Sequence, residues 1–139
     1  MTSTEFPCSP DQFAAARAWV AGFQARWRSL DPDALRDLMH ADTQNLIPPM
    51  TAPADRDGVV AHFRQASAML PGLAIEVVRW AAVDDAVFIE WMATATVNGQ
   101  PISWRGVDRV RLRDGRTYEG EVFWDTRRLA ERIAELRQR

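Results

Sequence analysis

The sequence predicts an α+β protein in which N-terminal helices pack on the concave face of a cone-shaped, curved antiparallel (mixed) sheet. In the first half of the chain, apolar residues recur at three- and four-residue spacing, which is typical of amphipathic helices. In the second half, four long runs alternate apolar and polar residues between turn dipeptides, which predicts an antiparallel meander. Strands of this length twist and coil into an open cone.

The first helix has a clear start signal. Ser9 can cap it, Pro10 suits its first turn, and Gln12 completes a capping box. Its expected buried face consists of apolar residues at helical spacing, namely Phe13, Ala16, Val20, Phe23, Trp27 and Leu30. Asp31-Pro32 ends this helix and begins a short second helix, which is expected to reach about His40.

A short strand is expected from Asp42 to Ile47, where Pro48-Pro49 stops regular structure. The third helix is expected to start within residues 55–57 and to end at Pro71-Gly72. Its predicted buried side consists of Val59, Val60, Phe63, Ala66 and Leu70.

Three turn dipeptides divide the meander: Asp84-Asp85, Asn98-Gly99 and Asp114-Gly115. Asn-Gly and Asp-Gly favour hairpins because both residues tolerate positive φ. The four predicted strands cover residues 73–83, 86–97, 102–113 and 116–124. Asp125 can then cap a charged last helix, which we expect to lie outside the core.

The composition fits one globular domain over residues 1–139, with an N-terminal tail at 1–9 and a C-terminal helix at 126–139. The net charge of -2 disfavours nucleic acid as a partner, since nucleic-acid binding usually needs a basic surface. Six tryptophans are many for this length and indicate a large core, a site for a flat apolar ligand or an interface. We find neither a signal-peptide pattern in residues 1–10 nor an apolar run that could span a bilayer, so we expect a cytoplasmic protein without a membrane partner.

Strand parity assigns the side chains of the meander to two faces, because side chains alternate along a strand. The inner face is expected to hold mainly apolar residues, namely Trp91, Trp104, Val110, Tyr118, Val122 and Trp124. Gly106 and Gly120 share this parity and leave room on the inner face. The outer face is expected to present Arg105, Arg109 and Arg111 to Glu90, Glu119 and Glu121 as cross-strand pairs.

The outer face has two interpretations. It can be a solvated ladder of exposed ion pairs, each of which contributes roughly 0–1 kcal/mol to stability. It can also be a homodimer surface with Met92, Val107 and Phe123 at its apolar centre. An exposed phenylalanine within a sheet favours association, and we therefore expect a homodimer.

Asp108 is the only charged residue on the predicted inner face of its strand. Burial disfavours the carboxylate form and raises the pKa of such a group. A carboxyl of this kind can be a catalytic group, because perturbed carboxyls cluster at active sites. It can equally be a structural group that is satisfied by an indole N–H or by an inward-turned arginine.

The remaining candidates carry weaker signals. Asn45 shares the parity of Ile47 and can face the pocket, or it can cap a turn. His40 and His62 fall on predicted helices among polar neighbours, so we expect them at the surface. The sequence shows no metal-ligand spacing, phosphate loop or nucleophile elbow, and we expect neither a metal nor a cofactor.

The order of these elements resembles the nuclear transport factor 2-like superfamily. The most specific stretch is GVDRVRLRDGR at 106–116, followed by EVFWD at 121–125. It is similar to the C-terminal pattern of SnoaL-like polyketide cyclases, in which a glycine, an apolar residue and an aspartate precede an Asp-Gly turn. The resemblance implies that Asp108 is the general acid/base for aldol ring closure of a polyketide.

Two related activities are disfavoured because the chain departs from their patterns. The proton-shuttling base of ketosteroid isomerase would fall on Ile47 and its oxyanion tyrosine on Phe23, and neither residue can do that chemistry. Limonene epoxide hydrolase needs a second carboxylate on the last strand, where this chain has Val122.

Three functions follow from the sequence. The first is a cofactor-free enzyme for an apolar, ring-containing carbonyl compound, in which Asp108 moves a proton beside the carbonyl. The second is a non-catalytic binder, in which Asp108 only anchors a hydroxyl or an amine. The third is a scaffold or dimerisation module whose pocket is filled by its own side chains. The residues expected to bind the ligand are Trp91, Trp104, Trp124, Asn45, Val122, Tyr118, Phe23 and Ile47.

Overall fold

The computed structural model describes residues 8–139, so most of the tail predicted at 1–9 lies outside the described residues. The helices are α1 (Pro10–Arg28), a 3₁₀ helix (Pro32–Leu38), α2 (Arg56–Met69) and α3 (Thr126–Arg137). The strands are β1 (Met39–Leu46), β2 (Ala74–Val83), β3 (Ala86–Val97), β4 (Gln100–Arg113) and β5 (Arg116–Trp124). None of these helices is long and apolar enough to cross a membrane.

The five strands form one sheet in the order β1-β5-β4-β3-β2. β1 runs parallel to β5, and the other neighbours are antiparallel, which confirms the predicted α+β fold with a mixed sheet. The turns also confirm their dipeptide signals, since Asp84, Asn98 and Asp114 have φ values of 57°, 50° and 53°. The assignment of residues 1–139 to a single domain stays a prediction.

α1 begins as its sequence predicts. The Ser9 hydroxyl accepts a hydrogen bond from the Gln12 amide at 3.1 Å, and the Gln12 side chain accepts one from the Ser9 amide at 2.8 Å. The predicted position of Phe13 in the core is wrong, because 48% of this residue is exposed and its ring packs against Trp80 of β2. Trp19, which the spacing did not assign to the buried face, is in the core instead.

The aromatic side chains of α1 form a continuous row above the sheet. Trp19 stacks on Phe23 at 5.3 Å between ring centroids, and Phe23 lies 6.0 Å from Trp27. The edge of Trp27 then meets Phe63 of α2 at 4.8 Å. This row covers the inner face of the sheet and forms one wall of the space around Asp108.

β1 starts three residues earlier than predicted, and the helix before it is correspondingly shorter. Met39 pairs with Thr117 of β5. This pairing with a strand distant in sequence extends β1 over residues whose own sequence does not favour a strand. His40 therefore lies on a strand and not on a helix, and its ring contacts the backbone carbonyl of Arg113.

The outer face carries the expected charge ladder with two differences, which concern Glu90 and Arg105. Arg109 pairs with Glu121 at 3.1 Å, and Arg111 pairs with Glu119 at 3.2 Å. Glu90 instead pairs with Arg79, which lies directly opposite it on β2. Arg105 forms no ion pair with any described residue, so its predicted cross-strand pair is wrong.

Candidate functional site

Asp108 points to the inner face, as its parity predicts. Trp91 Nε1 donates a hydrogen bond of 2.8 Å to Asp108 Oδ1. In the β3–β4 register Trp91 lies opposite Gly106 and Asp108 lies opposite Ile89, so the indole reaches the carboxyl along the diagonal of the ladder. No group of residues 8–139 donates a hydrogen bond to Asp108 Oδ2, and Asp108 lines the space between the helices and the sheet.

Gly106 is the residue that allows this contact. A Cβ atom at position 106 would overlap the Trp91 ring, with Cη2 only 2.5 Å away. The room left by this glycine is therefore filled by the indole and does not enlarge the pocket. Any side chain at this position would push Trp91 away from the carboxyl that it holds.

Burial raises the pKa of Asp108 to about 7, while the hydrogen bond from Trp91 lowers it and offsets part of this effect. The salt bridges among the described residues include none to Asp108, so the carboxylate has no cation beside it to stabilise its charge. At neutral pH the protonated and ionised forms are therefore both populated. A group in this state can give or take a proton with little cost.

A second glycine places the polar side chain of Asn45. Gly120 lies beside Asn45 in the β1–β5 register, and a Cβ atom at position 120 would collide with Asn45 Oδ1. Asn45 Nδ2 donates to Thr43 Oγ1 at 2.9 Å, and the Asn45 backbone exchanges hydrogen bonds of 2.9 Å and 2.8 Å with Ala54. Asn45 is thus buried and fixed against β5, with its side chain on the inner face.

Two small cavities lie between the helices and the sheet, and Asp108 lines both. One has a volume of about 70 Å³ and is lined by α1 aromatic residues, Asn45 and β5. The other has a volume of about 100 Å³ and is lined by α2 and the tryptophans. Sites for drug-sized ligands usually measure roughly 300–1,000 Å³. Both cavities are therefore too small, as they stand, for a ligand of that size.

The three tryptophans predicted to face the ligand all line the larger cavity. The rings of Trp104 and Trp124 lie 6.3 Å apart with 33° between their planes. Trp124 Nε1 donates to the Pro48 carbonyl at 3.1 Å and not to Asp108. The indole that donates to Asp108 is that of Trp91. Val122 and Ile47 line both cavities, and Phe23 lines the smaller one.

Tyr118 was expected on the inner face, and this placement is wrong. The β4–β5 register shifts between Arg111 and Leu112, so that Leu112 pairs with Thr117 and Arg111 with Glu119. This irregularity leaves Tyr118 without a direct partner and turns its ring towards Arg111, at 5.1 Å. Its hydroxyl donates to Asp85 on the same outer side, at 2.7 Å.

The sequence interpretation did not assign several cavity-lining residues to the site, among them Thr117 and His62. Thr117 takes the inner position that parity gave to Tyr118, and only 1% of it is exposed. His62 of α2 lines the larger cavity together with Asp108, and burial lowers its pKa. A signal for His62 existed, because it precedes Ala66 by one helical turn on the predicted buried side. Thr117 had no such signal, because strand alternation alone assigns it to the outer face.

Within the described part of the chain, no three His, Cys, Asp or Glu side chains are grouped so that they could hold a metal ion. The titratable groups that line the larger cavity are Asp108 and His62. The chemistry that this arrangement can supply is therefore proton transfer in an apolar surrounding.

A model of the SnoaL-like domain family matches residues 16–120. No curated protein matches the chain significantly. Among solved structures, AclR from Streptomyces galilaeus, a candidate hydroxylase, has a TM-score of 0.75 and 22% identity over 88% of this chain and 97% of that one. IdmH from Streptomyces antibioticus, a candidate polyketide cyclase, has a TM-score of 0.76 and 22% identity over 86% and 98%.

A third similar structure is a candidate SnoaL-like polyketide cyclase from Jannaschia sp. CCS1. Its TM-score is 0.76, with 17% identity over 96% of this chain and 98% of that one. The likeness to all three structures lies in the fold.

Proposed function

The chain belongs to the SnoaL-like domain family, and we propose that it is a cofactor-free acid/base enzyme for an apolar, ring-containing carbonyl compound. Asp108 is the proposed catalytic residue. The observation that carries this proposal is an inward carboxyl with a pKa of about 7 and one oxygen fixed by Trp91. Its second oxygen is left to meet a ligand.

In the proposed reaction the Asp108 carboxylate takes a proton from the carbon beside the substrate carbonyl. The electron pair of the broken C–H bond moves into the carbonyl, which becomes an enolate. The neutral carboxylic acid then returns the proton, either to another carbon of the enolate or to the alkoxide that forms when the enolate attacks a second carbonyl. The first outcome is an isomerisation and the second is an aldol ring closure.

The proposal assigns the larger cavity to the ring system of the substrate. Trp91, Trp104 and Trp124 offer flat apolar surfaces, which suit a ring better than a flexible chain. At about 100 Å³ the cavity must expand to hold such a ligand. A surface groove between α2 and α3 shares Trp124, Leu129 and His62 with this cavity, and a shift of α3 would join the two spaces.

The test is deuterium exchange of 2-tetralone, a ring ketone with acidic hydrogens beside its carbonyl. We expect wild-type protein to accelerate the exchange in D₂O, followed by NMR, and Asp108→Asn to lose about 10²–10⁴-fold of that rate. Affinity, measured by quenching of tryptophan fluorescence, should change little. Asp85→Asn is the matched control, because it is the same substitution in the β2–β3 turn, away from the cavities, and should keep the full rate.

Two results would contradict the proposed enzymatic function. Asp108→Asn could exchange 2-tetralone as fast as wild type, which would remove the proposed acid/base. Wild type could also bind 2-tetralone without accelerating exchange, and a loss of affinity in Asp108→Asn would then identify a binding protein in which the carboxyl is an anchor.

We also propose that the protein forms a homodimer through its outer sheet face. Phe123 is 48% exposed in the middle of this face, and it lies opposite Val107 in the β4–β5 register. Burial of this apolar centre against a second copy would remove it from water. Analytical ultracentrifugation should show a dimer for wild type and a monomer for Phe123→Glu, and a wild-type monomer at all concentrations would exclude this arrangement.

A further inference from the structure

The groove between α2 and α3 lies on the surface and is far larger than either interior cavity. Its volume is about 850 Å³, which is within the range of ligand sites. The Pro71 carbonyl, just after α2, accepts a hydrogen bond of 2.8 Å from the Thr96 amide, and the Leu136 carbonyl of α3 accepts one of 3.0 Å from the Asn98 side chain. Both helices therefore end close to the β3–β4 turn, with the groove between them.

Most of the groove is apolar. Met69 of α2 is 53% exposed there, although methionine is usually buried. The residues that α3 contributes recur at helical spacing, so one face of this helix borders the groove. The apolar residues from the two helices include Met69, Leu70, Leu129, Ala130, Ile133 and Ala134. An exposed apolar surface of this extent is typical of a binding site.

The charged groups at the groove are all basic. Arg127, Arg137 and His62 line it, and no Asp or Glu of residues 8–139 does. Burial lowers the pKa of His62 and so favours its neutral form. Arg127 pairs with Glu131 at 3.0 Å, whereas Arg137 forms no ion pair with a described residue. The guanidinium at position 137 is therefore available to an anion at the end of an apolar groove.

A second copy of this chain suits the groove less well than a small anion with an apolar chain. In a two-fold contact the same surface of both copies meets, so the groove of one copy would face the groove of the other. Such a contact brings the arginines of two copies together without an acidic group between them, and like charges opposed across an interface weaken it.

We propose that the groove between α2 and α3 binds an anionic amphiphile, namely an unbranched acyl chain that ends in a carboxylate. The chain lies along the apolar faces of both helices, and the carboxylate pairs with Arg137. Gln138 borders the same end, and its amide can donate to the second carboxylate oxygen. The groove follows α3 from Thr126 to Gln138, roughly 18 Å at the rise of an α-helix, which is long enough for a chain of about ten carbon atoms.

This inference goes beyond the proposed enzyme and does not require Asp108 to be catalytic. The experiment compares decanoate with 1-decanol by isothermal titration calorimetry, at concentrations where neither compound aggregates. The two have the same chain length and differ in the charge of the head group. We expect wild type to bind decanoate about fivefold more tightly than 1-decanol, as a partly exposed ion pair allows.

Arg137→Gln should bind decanoate and 1-decanol equally, because it removes the charge that selects the carboxylate. Arg132→Gln is the matched control. It is the same substitution on the same helix, at an arginine that does not line the groove and that pairs with Glu135 at 3.1 Å. Arg132→Gln should keep the preference for decanoate. A preference that is absent in wild type, or that Arg137→Gln retains, would overturn the proposal.

The place of binding is tested by NMR of methionine methyl groups labelled with ¹³C. The signal of Met69 is assigned by its loss in Met69→Gln, which is expected to fold because the side chain is half exposed. Decanoate should shift this signal in wild type, and its affinity should fall at least twofold in Met69→Gln. Binding that leaves the Met69 signal unshifted would place decanoate elsewhere and exclude the groove.

Two further measurements separate this site from the alternatives. Asp108→Asn should bind decanoate as wild type does, and a loss of affinity would place decanoate in the interior cavity instead. Analytical ultracentrifugation of Met69→Glu should show the oligomeric state of wild type. If wild type binds no decanoate and Met69→Glu dissociates a wild-type dimer, the groove is an interface between copies and the proposed ligand is wrong. Exchange of 2-tetralone tests the proposed enzyme independently of these results.

Discussion

Asp108 on the inner face of the sheet and Asp85 in the β2–β3 turn, which contacts Arg111 and Tyr118 of the outer face, have pKa values displaced in opposite directions. Burial raises the pKa of Asp108 to about 7, and its one hydrogen-bond donor is the Trp91 indole. Burial also acts to raise the pKa of Asp85, but hydrogen bonds from Arg111 and Tyr118, together with the Arg111 charge, outweigh it and lower the pKa.

The comparison shows that burial alone does not decide the state of a carboxyl in this protein. Asp85 accepts hydrogen bonds of 3.1 Å and 3.2 Å from the Arg111 guanidinium and one of 2.7 Å from Tyr118. These groups favour the ionised form, whereas a neutral indole only partly offsets the loss of water around Asp108. The outer face therefore binds an ion-paired carboxylate from the β2–β3 turn, while the inner face carries a carboxyl suited to proton transfer.

The largest expected effect concerns the stability of Asp108→Asn as a function of pH. The folded-state pKa of Asp108 lies above its unfolded value, so this group stabilises the fold below about pH 4 and loses that contribution as the pH rises to about 7. The difference between the folded and unfolded pKa values corresponds to a loss of about 4 kcal/mol in the free energy of unfolding over this pH range. In urea unfolding at a series of pH values, Asp108→Asn should gain stability relative to wild type across this range.

Asp85→Asn is the matched control for that comparison, because its effect on stability should change with pH in the opposite direction. The lowered pKa of Asp85 means that its contribution is present above the unfolded pKa and is lost as the pH falls through the folded pKa. Its partly exposed ion pair limits the effect to about 1 kcal/mol or less, measured above pH 5. Parallel pH profiles for the two variants would contradict the proposed difference between the faces.

Gly106→Ala removes the contact between Trp91 and Asp108, and its expected effect is smaller than that of Asp108→Asn. The added methyl group overlaps the indole and should lower the free energy of unfolding by about 1–3 kcal/mol. Loss of the indole hydrogen bond should also move the pKa of Asp108 higher, measured by NMR titration of its carboxyl carbon. Gly120→Ala displaces Asn45 instead, and it should leave the pKa of Asp108 unchanged.

Much of the fold could be predicted because its signals are local. The capping box at Ser9 and Gln12 fixed the start of α1, and the turn dipeptides fixed the ends of the long strands. Regular alternation along β3 and β4 was sufficient to assign Trp91 and Asp108 to the inner face. These features depend on residues a few positions apart, which the sequence displays directly.

The rest depends on contacts between distant segments. The register shift between β4 and β5 exchanges the predicted places of Tyr118 and Thr117, and no residue type marks it in advance. The Trp91 ring packs over Gly106 and the Asn45 side chain over Gly120, and these contacts limit the space left between the helices and the sheet.

By itself the sequence determined which strand face carries the carboxyl, because alternation is a property of the extended backbone. Only the tertiary structure decided what surrounds that carboxyl and how large the cavities are, because both depend on the packing of side chains from all the elements at once.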